Sequence, residues 1–241
     1  MIDFTEGWVG SQSILVILAH PDDPEFFLGA TIARWTHAGH RVSYCLLTRG
    51  DKGANDPGVD PAELSFRREK EQRAAAARLG VQDVRFLDFS DGCLQPDMET
   101  RRAVTRVIRE ARPDILVSCD PQNLFPSDNN INHPDHRAAG QIVVDAVFPG
   151  AGNPMFFPEL LDEGLQPHSV KELWLSLTGQ ANTSIDVTPY WPLKLQALQE
   201  HHSQIPDFDR LVERQRSRRT PDSTDENPCY EEKFKRIVFL R

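Results

Sequence analysis

The sequence is poor in positive charge: 27 Lys and Arg stand against 36 Asp and Glu, a net charge of −9 over 241 residues. That balance excludes phosphate-backbone binding as the main task, because affinity for nucleic acid is built on clustered basic side chains. The one basic run, "RLVERQRSRRT", is interleaved with acid and reads as a solvated helix end or loop. No apolar run is long enough to cross a bilayer, which excludes a membrane span. The stretch "MIDFTEGWVGSQ" has acidic residues and no basic segment ahead of an apolar one, so no secretory signal is visible and a cytoplasmic setting is expected. Cysteine pairs are missing too: Cys45, Cys93, Cys119 and Cys229 form no CxxC, and Cys45 and Cys119, inside apolar runs, are expected in the core. There is no Gly-x-Gly-x-x-Gly turn after the first apolar run, which removes the nucleotide-binding Rossmann reading. Internal repeats and low-complexity tracts are absent.

What is present is the composition of an ordinary globular chain, 39% hydrophobic and 26% charged, at a length that suits one large α/β domain. Short Ile/Val/Leu runs alternate with segments of helical period, the pattern of β-α-β units on a mostly parallel sheet. Strands are expected at 13–19, 42–48, 84–89 and 114–119, and their near-continuous apolarity implies burial on both faces. Helices are expected at about 27–38, 61–79, 97–111 and 135–147, each of the first three stopped by Gly or by Arg112-Pro113. The fold class is therefore α/β, a Rossmann-like three-layer sandwich. Further on, "KELWLSL" and "TSIDVT" read as strands, "YWPLKLQALQEHH" as a helix and "KRIVFL" as a closing strand. The Pro- and Gly-rich segment 148–170 reads as a long loop with a short helix. Residues 206–241 read as a C-terminal extension of the single 1–241 domain, with a mobile polar loop at about 215–229.

Two clusters carry chemistry. The first apolar run ends on His20-Pro21-Asp22-Asp23, and polar groups placed directly after a strand of a parallel sheet face the crevice where such folds bind ligands. One of the aspartates could instead cap the following helix. After the fourth run, "SCDPQNLFPSDNNINHPDHRAAG" supplies Asp120 and then His133, Asp135 and His136 at a helix start. The two clusters lie at the same sheet edge and would converge. One His, one carboxylate and a second His satisfy a catalytic metal's need for three ligands and an open position. Imidazole with carboxylate suits Zn2+ first, and also Fe2+, Ni2+ or Co2+.

With those motifs in place, "AHPDDPEFFLGATIA" together with "NHPDHRAAG" resembles the PIG-L/LmbE-like family of metal-dependent de-N-acetylases. "LLTRGDKG", "RREKEQRAAAARLGV", "RPDILVSCDP" and "KLQALQEHHSQ" extend the resemblance over about 12–205. The resemblance implies that His20, Asp23 and His136 hold the metal and that Asp22 is the general base. It implies that His133, protonated, stabilises the oxyanion or protonates the leaving amine, with Asp135 orienting it. Arg49, Arg67 or Arg68 and His201 are the implied substrate-binding residues. One departure is Ile131, where some members place a tyrosine two residues before the second motif. The function implied is removal of an acetyl group from an N-acetylglucosamine-type small molecule, with no nucleic-acid partner and with a homo-oligomer left open. The alternative is a metal-stabilised, non-catalytic carbohydrate-binding module, for which Asp120 or His133 would complete a closed shell.

Overall fold

Along β1 (Ser13–Leu18) the side chains alternate between two buried clusters, Ile14, Val16 and Leu18 on one face and Leu15 and Ile17 on the other. A strand buried on both faces belongs inside a sheet covered by helices on either side. That is its place in this computed structural model, which describes residues 6–216 and 218–240. The seven-stranded sheet runs in the order β3-β2-β1-β4-β5-β7-β6. Strands β2 (Arg41–Thr48), β3 (Asp83–Phe89), β4 (Ile115–Cys119) and β5 (Glu172–Ser176) are parallel to β1. Helices α1 (Asp23–His37), α2 (Pro61–Arg78), α3 (Met98–Ala111) and α4 (Pro134–Asp145) connect the parallel strands. Cys45 and Cys119 are buried free thiols, as their apolar surroundings require. No helix among the described residues is long and apolar enough to cross a membrane.

The differences from expectation have local causes. Helix α1 begins at Asp23 rather than at 27, since Pro24 sits in the first turn, where a missing N–H costs nothing. Helix α4 ends at Asp145 rather than at 147, and a wide helical turn over Ala146–Ala151, containing Pro149, follows it. The short helix of the 148–170 segment is α5 (Glu159–Asp162), and α6 (Trp191–Gln199) fills the expected place. Part of the basic run is regular, in α7 (Phe208–Arg216). Strand β7 (Glu231–Val238) lies between β5 and β6 (Thr183–Asp186) and is antiparallel to both, so the stretch read as an extension contributes an interior strand of the same sheet. Within the 215–229 loop, Arg219 pairs with Asp225 and the Thr220 N–H donates to the Cys229 carbonyl.

Strand β1 has β2 on one side and β4 on the other. The crevice beyond their carboxyl ends is the topological switch point at which such sheets bind ligands. His20 to Asp23 follow β1, and the 120–133 segment leads from β4 into α4. Gly140 brings α4 hard against that edge: a Cβ there would lie 2.4 Å from the Cys119 carbonyl oxygen.

Helix α1 is broken at Leu28, whose φ of −147° is not helical. The break releases the Phe26 carbonyl and the Ala30 and Thr31 N–H groups. Lys194 Nζ donates to the Phe26 carbonyl at 3.0 Å, while Glu232 accepts from Ala30 N at 3.4 Å and Thr31 N at 2.7 Å. Lys194 and Glu232 also pair with each other, both side chains being buried. A buried ion pair that loses one partner leaves an uncompensated charge, which costs about 3–5 kcal/mol. Lys194→Met should therefore lower the stability read from urea denaturation by about that amount. An unchanged midpoint would show that the pair does not hold α1.

Candidate active site and metal centre

The turn after β1 places Asp22 at the N-cap of α1 with φ of 87°, a left-handed backbone that costs a non-glycine residue about 1–2 kcal/mol. Aspartate is a favoured N-cap, yet the Asp22 carboxylate makes no capping bond. It meets Arg68 instead, with Arg68 Nη2 3.3 Å from Asp22 Oδ2. Arg68 is itself fixed, donating to the Pro21 carbonyl at 2.7 Å and to the Gly50 carbonyl at 3.0 Å. Gly50 is required here, since its φ is 69° and a Cβ would collide with the Arg68 guanidinium. Burial pushes the Asp22 carboxyl up to about 6 against the opposing pull of Arg68.

Asp23 lies between two imidazoles. Its Oδ2 accepts the His20 backbone N–H at 2.8 Å and is 3.4 Å from His20 Nδ1, while its Oδ1 is 3.0 Å from His136 Nε2. Burial alone would raise the Asp23 carboxyl, but His136 and His20 hold it well below the usual carboxylate range.

The partners of each ring settle which nitrogen is available. His20 Nε2 faces two carboxylates, Asp91 Oδ1 at 3.1 Å and Asp135 Oδ2 at 3.3 Å, and so carries hydrogen, leaving Nδ1 toward Asp23. Burial works to lower the His20 pKa, but Asp135, Asp23 and Asp91 push it up to about 12. His136 Nδ1 donates to Asn132 Oδ1 at 3.0 Å, which leaves Nε2 toward Asp23. His133 is different: its Nδ1 accepts the Asp135 backbone N–H at 3.2 Å, so in the neutral ring Nε2 bears the hydrogen. Burial, with His20 and His136 beside it, lowers the His133 pKa, favouring that neutral form over the expected imidazolium. It is a donor by geometry, whereas His20 Nδ1 and His136 Nε2 both turn toward the Asp23 carboxylate.

Among the described residues two groups bring one donor atom each within 4.8 Å of one another: His20, His133 and His136, and His20, Asp91 and Asp135. Asp23 links His20 and His136 of the first group through its two oxygens. Imidazole with carboxylate fits a divalent transition ion or zinc, so the chemistry of the donor set is compatible with a metal. The cavity over these groups, about 340 Å³, is lined by His20, Asp22, Asp23, Arg68, Asp91, His133 and His136, with Phe26, Phe27 and Lys52 at its walls. A larger cavity of about 530 Å³, along Phe148, Pro149 and Val170, shares no residue with it and, among the described residues, is lined by no titratable side chain.

Several expected residues lie elsewhere. The Asp135 carboxylate does not orient His133; it turns to His20 and accepts the Gly92 and Leu94 N–H groups at 2.7 and 3.2 Å. Arg49 is tied to Glu69 and Asp88 at the surface, and Arg67 is exposed, so of the three arginines Arg68 alone lines the cavity. His201 is fully buried and outside the cavity lining, with Nε2 3.1 Å from Glu25 Oε2. Asp120 is committed to Thr178 Oγ1 at 2.6 Å and the Gln122 N–H at 2.9 Å. Three residues were missed in the sequence: Asp91, Asn132 and Gln72. Asp91 had a signal, since it follows the third strand at the edge already singled out; Gln72, within a helix of mixed charge, had none.

The family model described as "PIG-L: GlcNAc-PI de-N-acetylase" matches residues 15–147. Diacetylchitobiose deacetylase of Thermococcus kodakarensis is 38% identical over 196 residues, spanning 81% of this chain and 71% of the relative. A probable N-acetyl-alpha-D-glucosaminyl L-malate deacetylase 2 of Bacillus anthracis is 29% identical over 80% of this chain and 82% of its own length. The solved structure of N,N'-diacetylchitobiose deacetylase from Pyrococcus horikoshii in complex with an inhibitor superposes with a TM-score of 0.85 at 30% identity, covering 95% of this chain and 84% of that one.

Proposed function

Since the chain belongs to the PIG-L family, we propose that it is a metal-dependent hydrolase that removes the acetyl group from an N-acetylglucosamine-type small molecule. The observation that carries this reading is the division of labour in one turn: Asp23 faces a ring nitrogen of each of two imidazoles while its neighbour Asp22 is held off the cap and off those rings, against Arg68. His20 Nδ1, His136 Nε2 and the Asp23 carboxylate would hold the ion, with zinc the first choice for such donors. A bound ion would supply the Lewis acidity that makes water nucleophilic near neutral pH and polarises the amide carbonyl.

The chain's own groups do the rest. The cavity that Asp22 lines would admit the acetamide. Asp22 accepts a proton from the attacking water, and a carboxyl poised near 6 suits that task. His133 presents Nε2–H to the oxygen that gains negative charge, as a neutral donor at the cavity wall. Asp22 then returns its proton to the departing amine nitrogen, so one carboxyl serves both directions. Asp91 and Asp135 keep hydrogen on His20 Nε2, which fixes the ring and would leave Nδ1 as the nitrogen that meets an ion. The two residues that would complete a closed shell in the binding-module alternative are engaged elsewhere: Asp120 by Thr178 and Gln122, and His133 Nδ1 by the Asp135 N–H.

The test is release of acetate and free amine from a panel comprising N-acetylglucosamine, N,N'-diacetylchitobiose and N-acetylglucosaminyl malate, before and after chelation. Turnover of at least one member, abolished by chelator and restored by Zn2+ or Co2+, is expected; a fully metallated sample inert on all of them would sink the reading. The arginines give a sharper result. Arg49→Ala and Arg67→Ala should change kcat/KM by less than about two-fold. Arg68→Ala, which frees Asp22 and the Pro21 carbonyl, should lower it by about 10- to 100-fold.

A further inference from the structure

Beneath the Asp22–Asp23 turn lies a chain of buried polar side chains that takes no part in the chemistry just described. The Asp22 backbone N–H donates to Gln72 Oε1 at 2.7 Å. Gln72 Nε2 donates to both oxygens of Glu25 at 3.0 Å. Glu25 Oε2 receives His201 Nε2 at 3.1 Å. Gln72, Glu25 and His201 are each 0% exposed. The amide of Gln72 has one workable orientation, because turning it over would set NH2 against the Asp22 N–H and oxygen against the carboxylate.

We infer that Gln72, backed by Glu25 and His201, is a positioning residue for Asp22, holding its backbone in the left-handed conformation that aims the carboxylate into the cavity. The inference rests on the reading of Asp22 as the base.

The case is one of alternatives. An Asp at a helix N-cap ordinarily adopts extended backbone and turns its carboxylate onto the N–H groups of the first turn. Asp22 does neither, so something must make the left-handed state the better one. Its N–H would otherwise sit in a buried turn without a partner, and Gln72 reaches it from α2, a different element. Glu25 lies in the first turn of α1 and directs Gln72 from behind, so the α1 and α2 helices are locked at the point where Asp22 projects between them. His201, from beyond α6, closes the chain and keeps the Glu25 carboxylate from being left with one partner in a dry interior. Arg68, just over one turn before Gln72 on the same helix, touches the Asp22 carboxylate itself; Gln72 touches only its backbone. The two contacts act on different torsions and neither can replace the other.

The experiment compares the metal-loaded parent with Gln72→Met, Asp22→Asn and the double variant, measuring kcat, KM, bound metal and thermal midpoint on whichever substrate the panel identifies. Methionine keeps the length of glutamine and removes both hydrogen bonds. For Gln72→Met we expect kcat to fall about 10- to 100-fold with KM and metal content nearly unchanged, the cost typical of losing an orienting partner. In the Asp22→Asn background the same substitution should cost nothing further, a result that a merely structural role would not give. A kcat within about two-fold of the parent, or an equal loss in both backgrounds, overturns the inference alone. If Gln72→Met does not fold, Glu25→Gln, which preserves shape and weakens the same chain, replaces it with the same expectations and the same overturning results. Undiminished turnover in Asp22→Asn would instead overturn the assignment of the base, and the inference with it.

Discussion

Asp22→Asn should bind a full complement of metal and turn over substrate about 10²–10⁴-fold more slowly, the span that a general base contributes. The asparagine is nearly isosteric, so the left-handed turn, which Asn tolerates better than most residues, survives. What is lost is the ability to accept a proton from water and to return it to the amine. Arg68 loses its carboxylate partner but keeps the Pro21 and Gly50 carbonyls, so its position is preserved. Metal analysis alongside steady-state kinetics decides the matter: a variant that loses turnover in proportion to metal would place Asp22 among the ligands instead.

The companion variant, Asp23→Ala, should show the opposite pattern. The Asp23 carboxylate faces His20 Nδ1 and His136 Nε2 and accepts the His20 N–H, so its removal takes away a ligand and loosens a second. Turnover and bound metal should disappear together, and excess Zn2+ or Co2+ should recover activity only in part. Titration against a chromophoric chelator measures this directly. Metal affinity equal to that of the parent would contradict the ligand assignment. Two adjacent aspartates giving opposite metal results is the strongest discrimination the site offers.

How much of this could be read from the chain depended on locality. The four parallel strands and the helices between them follow from apolar runs and their stops, which are properties of consecutive residues. The position of β7 between β5 and β6 depends on pairing across the chain, which no local pattern encodes. Within the site, His20, Asp22, Asp23, His133 and His136 stand out because each follows a strand or opens a helix, and the structure brings all five to one cavity. Asp135 also stands out, but the sequence could not say whether its side chain or its N–H would serve His133. Sequence could not rank Arg49, Arg67 and Arg68 either, since the choice depends on which face of α2 meets the turn at Pro21. Gln72 looks like one more solvated position in "RREKEQR", and its burial against Glu25 is visible only when α1 and α2 are seen together.

The break in α1 at Leu28 bears on how this protein could be engineered. A designer seeking heat resistance would see an interrupted helix and restore its ladder, gaining the hydrogen bonds now supplied by Lys194 and Glu232. Yet the same break sets the angular offset between the half of α1 that carries Phe26 and Phe27 to the cavity and the half that buries Ile32 and Trp35 in the core. A straightened α1 would satisfy one half at the expense of the other. Robustness and catalysis are in conflict at this residue, and thermostabilising substitutions are better sought away from it.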